Sequence, residues 1–73
     1  MNVKELRELL AHYPDDMPVM VDGYEGGLCD LDADRIESAP VFTNVNRESY
    51  YGAHEKARPG ETGWNVKALI LHR

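Results

Sequence analysis

Seventy-three residues make one small domain and no more. A formal net charge of −5 argues against a nucleic-acid backbone as ligand, because that needs clustered Lys and Arg to displace counterions. With Cys29 the lone cysteine an internal disulfide is excluded, and an apolar content of 42% excludes wholesale disorder.

The N-terminus reads as a helix from Asn2 to Tyr13. Asn2 is a good N-cap, and Glu5 stands three residues on, where a capping-box acid belongs. Val3, Leu6, Leu9, Leu10 and Tyr13 recur at helical spacing and form one apolar stripe. Lys4, Glu5, Arg7 and Glu8 face the other way, and Pro14 stops the helix. Asp15-Asp16 makes a turn. Pro18 to Val21 reads as a short buried strand, with its proline at the tolerated first position. A glycine-rich loop, Gly23-Tyr24-Glu25-Gly26-Gly27, follows. Asp34 to Val45 reads as one strand or a bent pair, with Ile36, Val41 and Val45 inward and Pro40 marking an edge or a bulge. Residues 46 to 63 show no period and read as a long loop. Trp64 to Leu71 is the last strand. The expected architecture is α+β, with the N-terminal helix packed on a three- to four-stranded, mainly antiparallel sheet.

Motifs for chemistry fail on inspection. Asp30, Asp32 and Asp34 alternate as at the start of a calcium loop. Arg35 and Val41 then stand where that loop needs a glycine and a bidentate acid. His54-Glu55 begins like a zinc-protease helix, but the second histidine's place is taken by Arg58. Cys29 has no neighbouring base to activate it and reads as a small, half-buried residue. The glycine loop lacks both the Walker ending and the dinucleotide spacing, and reads as a turn. No catalytic residue, metal or cofactor is expected. With neither disulfide nor metal, so small a core calls for another staple, and self-association is the expectation. The opening residues lack the apolar core of a signal peptide, no run is long enough for a bilayer, and the single cysteine fits a reducing cytoplasm.

Charge is unevenly placed. Residues 15 to 37 hold eight acids against one base, Arg35, whereas residues 46 to 63 balance three acids with three bases. The neutral loop also carries the aromatics. Tyr24, Tyr50, Tyr51 and Trp64 supply stacking faces, and Arg47, His54, Lys56 and Arg58 supply contacts for an anionic group.

Val3-Lys4-Glu5-Leu6, Leu9-Leu10, Tyr13-Pro14-Asp15-Asp16, Val19-Met20-Val21 and Gly23-Tyr24-Glu25-Gly26-Gly27 together resemble a pattern of small accessory proteins of bacteria, prophages and phages. Tyr50-Tyr51-Gly52-Ala53-His54-Glu55 and Ala68-Leu69-Ile70-Leu71 look like the same group. The resemblance covers most of the chain and implies a shared small fold in a mobile-element setting, where acidic accessory proteins act by binding and by blocking host defence. It names no activity. The expected function is a non-catalytic protein that captures a nucleotide-like or other phosphorylated small ligand. The alternatives are a factor that docks a host protein through the aromatic loop, and an acidic mimic of nucleic acid built from residues 15 to 37.

Overall fold

A computed structural model describes every residue from Met1 to Arg73. The chain divides into two compact units: Met1–Arg35 together with Leu71–Arg73, and Ile36–Ile70. No helix is long and apolar enough to cross a membrane.

The first unit opens with α1, Val3–Leu10. The capping box forms as expected. The Asn2 side-chain oxygen accepts from the Glu5 amide at 2.9 Å, and the Asn2 amide donates back to Glu5 Oε1 at 3.2 Å. Two of the orphan amides of the first turn are thus satisfied. The α-helix ends three residues earlier than the spacing predicts. His12 and Tyr13 donate to Leu9 and Leu10, bonds that span three residues, so the last turn tightens to 3-10 geometry before Pro14. The residue before a proline is disfavoured in the α region, which fits this taper.

A hairpin follows, β1 (Met20–Asp22) against β2 (Leu28–Asp30), in antiparallel register with Val21 opposite Cys29. The Leu31 amide donates to Val19 and carries the ladder one step past the strand ends. The glycine-rich segment is the turn of this hairpin, closed by the Gly23 amide on the Gly27 carbonyl at 3.0 Å. Gly23 has a steric reason to be glycine: a Cβ there would lie 2.3 Å from the Gly26 carbonyl oxygen. A 3-10 turn, Ala33–Arg35, ends the segment, and the returning C-terminus joins the unit through His72, whose amide donates to the Arg35 carbonyl at 2.8 Å.

The second unit is a three-stranded sheet in the order β4-β3-β5, from β3 (Ile36–Phe42), β4 (Glu55–Lys56) and β5 (Val66–Leu71). Val41 pairs with Lys56 and Phe42 with Glu55, antiparallel. The bonds from Asn65 to Val41 and from His72 to Arg35 run in opposite chain directions, so β5 is antiparallel to β3 as well. Pro40 therefore sits in the central strand, not at the expected edge or bulge. The Ala57 amide donates to the Pro40 carbonyl at 2.9 Å. The return bond of that pair needs an N–H that proline lacks, so the β3–β4 ladder stops there and β4 stays two residues long.

The α+β class holds, with the strands divided between a hairpin and a separate sheet. Burial departs from expectation. The only buried side chains are Ala39, Val41 and Ala57, each 5–6% exposed. Ile36 and Val41 are five residues apart and so point to opposite faces of β3, which is why Val41 is buried and Ile36 is exposed. Val45 lies past the end of the strand and is exposed too. On α1, Leu6 is half-buried, while Val3, Leu9 and Leu10 are exposed, with 42% of Leu9 open to solvent. In the expected strand at 18 to 21 only Val21 is half-buried, and Cys29 is exposed.

Gly23→Ala is expected to speed amide exchange across the β1–β2 hairpin by a factor corresponding to at least about 1 kcal/mol, because the Gly26 carbonyl must move. Gly52→Ala, where a Cβ meets nothing within 4 Å, is expected to stay within about 0.5 kcal/mol of the parent.

Candidate functional site

The expected long loop is interrupted by β4. Residues 43 to 54 connect β3 to β4, and residues 57 to 65 connect β4 to β5. The first connection is a built structure. Val45 and Asn46 both donate their amides to the Ala53 carbonyl, at 2.9 and 3.1 Å. The Asn46 side-chain amide spends its two hydrogens on the Gly52 carbonyl at 2.8 Å and on Glu55 Oε1 at 2.9 Å. Asn44 takes a left-handed conformation with φ 56°, which asparagine tolerates better than most residues. Its amide donates to His54 Nδ1 at 3.0 Å. That nitrogen accepts, so the ring proton sits on Nε2.

Tyr50 and Tyr51 stand at the tip of this loop, 81% and 60% exposed. The Tyr51 amide closes a turn on the Glu48 carbonyl. The two rings lie against each other, with centroids 5.1 Å apart and planes tilted by 41°. A base held between two rings needs about 7 Å of separation, twice the van der Waals spacing of roughly 3.5 Å. The pair therefore presents one continuous aromatic ridge and no slot.

The remaining expected ligands are spread out. Arg47 is on the same loop and exposed. Lys56 is on β4, and its ammonium forms an ion pair with Glu37 of β3. That pair lies beside the ladder end left open by Pro40, where a charged side chain discourages pairing with another strand. Arg58 opens the turn Arg58-Pro59-Gly60-Glu61. Glu61 donates its amide to the Arg58 carbonyl at 3.0 Å, and Gly60 has φ 80°. Pro then Gly at the central positions is the type II signature. The Glu61 carboxylate accepts the Arg58 amide at 2.9 Å. Trp64 is exposed just before β5, where Asn65 bonds Thr43 through both its side-chain atoms. Tyr24 belongs to the first unit, where the Arg73 guanidinium covers its ring at 5.2 Å.

The structure thus joins Tyr50 to Tyr51 and binds His54 into the loop that carries them. Lys56 is neutralised by Glu37, so Lys56 and Arg58 do not form a free cationic pair. No group of three or more His, Cys, Asp or Glu side chains is placed to hold a metal ion.

Sequence reasoning missed a second feature. A groove of about 460 Å³ lies in the first unit, lined by Leu10, Tyr13, Pro14, Asp15, Met17 and Met20 among others. Its signal was present in the sequence. Two prolines and two methionines in seven positions, 14 to 20, put apolar side chains on backbone that cannot continue a helix.

Asn46→Ala is expected to leave the Gly52 carbonyl and Glu55 without their shared donor. The loss is about 1–3 kcal/mol of local stability, read as faster exchange of the Val45 and Asn46 amides with the sheet ladder unchanged. Equal exchange rates would show that the loop is held by its backbone bonds alone. In comparison with known proteins, no family model, curated protein or solved structure matches this chain, so its function is read from these two surfaces.

Proposed function

We infer that the protein is a non-catalytic binding factor that docks another protein through the 43–54 loop. The observation that carries this reading is the exposed Tyr50–Tyr51 ridge on a hydrogen-bonded support. Tyrosine offers a large amphipathic face at the cost of two side-chain torsions, and arginine and aromatic anchors dominate interface energetics. A loop already closed by Asn46 and His54 loses little further freedom on binding. Arg47 and Glu48 balance each other, so the complementary surface is a shallow apolar pocket with polar rims and no strong charge.

Capture of a nucleotide-like ligand, the other reading of the same residues, draws less support. Small ligands are held in concave sites that cover most of their surface, and the tyrosine rings are largely exposed and lie against each other with no slot between them. A phosphate also needs free cations, and the Lys56 ammonium is engaged with Glu37. The setting of bacterial mobile elements and the blocking of host defence remain part of the proposal, resting on the sequence resemblance.

Placing a photo-crosslinking amino acid at position 50 in the producing cell is expected to trap one dominant protein. That protein, purified, should bind the parent and lose at least about 2 kcal/mol of affinity, roughly thirtyfold, to the Tyr50→Ala/Tyr51→Ala variant, while the melting temperature stays unchanged. The docking reading fails if the purified parent instead carries a molecule absorbing near 260 nm that the double variant loses.

A further inference from the structure

The first unit has a helix, a hairpin and no buried residue: only Leu6, Val21, Gly23 and Leu31 are even half-buried. An eight-residue helix and a hairpin of two three-residue strands are each marginal alone in water. Their order needs an apolar cover. Val3, Leu9, Leu10, Tyr13, Met17, Val19 and Met20 of this unit are each 42–56% exposed.

We propose that a second copy of this chain fills the 460 Å³ groove at Leu10–Met20 with the apolar stripe of its own α1, in a two-fold pairing. Two surfaces of one unit complement each other. Along Val3, Leu6 and Leu10 the stripe is apolar, and Arg7, which the sequence pattern grouped with the polar face, borders it on this side. That residue follows Val3 by four positions and precedes Leu10 by three, so it lies beside both on the helix surface. The groove is apolar and carries one charge, Asp15. Neither side chain has an ion pair within the chain. A two-fold axis beside the end of α1 sets each Arg7 against the partner's Asp15, and symmetry makes the contact twice. The occupant is another copy because one chain carries both halves of the match, an apolar stripe bordered by an arginine and an apolar groove bordered by an aspartate.

The test is sedimentation of the full chain at micromolar concentration with three variants, Arg7→Asp, Asp15→Arg and the two combined, each followed by circular dichroism. The parent is expected at twice the 8.3 kDa chain mass. Arg7→Asp sets like charges together twice and is expected to weaken the dimer at least about tenfold. Asp15→Arg is the sharper probe. It reduces the magnitude of the net charge, from −5 to −3, which would tighten any association limited by general repulsion, whereas the proposed contact predicts at least about tenfold weakening. The combined variant restores the charge pairing in reverse and is expected to recover the dimer and its helical signal together. A parent that stays monomeric at about one hundred micromolar, a dimer indifferent to both single changes, tightening by Asp15→Arg, or no recovery in the combined variant overturns the proposal.

Discussion

Ala39, Val41 and Ala57 are the whole buried interior of the chain, and the rest of the structure is shaped by how little apolar area they remove from water. Ordering a residue costs about 1–2 kcal/mol of backbone entropy, and two alanines and a valine cannot set that against a chain of 73 residues. All three lie in or beside the β3–β4 pairing, at the sheet's centre. Elsewhere apolar side chains such as Leu6, Val21, Leu31, Phe42 and Ile70 are only half-buried, and directional polar bonds, which return about 1 kcal/mol each on balance, set much of the local path.

That constraint explains the character of the local structure. Several caps and turns are specified by a residue with a definite physical reason to be there. Asn2 and Glu5 exchange bonds at the start of α1. Gly23 gives way to a carbonyl oxygen, and Pro59-Gly60 fits a type II turn. Asn46 satisfies two acceptors with one amide group, and Asn65 clamps Thr43 through both its side-chain atoms. Pro40 does the opposite, removing a donor so that β4 ends after two residues. Such devices choose a backbone path more than they stabilise it. They make local conformation definite even where burial is slight.

This division also marks what could be read in the sequence. The capping box, the proline stop, the glycine turn and the helix-then-strands order depend on residues near one another in the chain, and they were legible. Burial depends on which strand neighbours which, and that was not. A proline in the central strand was misread as an edge because nothing in the sequence says that β4 would be two residues long. The even-odd rule could have shown that Ile36 and Val41 cannot share a face. The α1 stripe was legible as apolar. Its exposure was not, because a pattern records that a face is apolar and says nothing about what, if anything, lies against it. For the loop, the aromatic and cationic residues were legible as a cluster, but the Glu37–Lys56 pair and the His54–Asn44 bond join residues 19 and 10 positions apart and redirect two of the expected anion contacts.

The two surfaces that emerge make different thermodynamic demands. The tyrosine ridge stands on the unit that contains every buried side chain, over a loop closed by its own hydrogen bonds, so its conformation does not wait for a partner. The groove and the α1 stripe belong to a unit with no buried residue, and under the proposed pairing their order and their covering become one equilibrium that mass action ties to concentration. Binding linked to folding spends part of its interaction energy on ordering, whereas binding by a preformed ridge keeps it. On the proposed readings, a change confined to the ridge acts on recognition with the fold intact, and a change in the groove acts on recognition and fold at once. Asp15 sits on the second kind of surface, and the other acids of residues 16 to 34 belong to the same unit. Their mutual repulsion opposes promiscuous clustering, and the proposed arrangement, which places an arginine against Asp15 on each side, meets less of that opposition than a random encounter does.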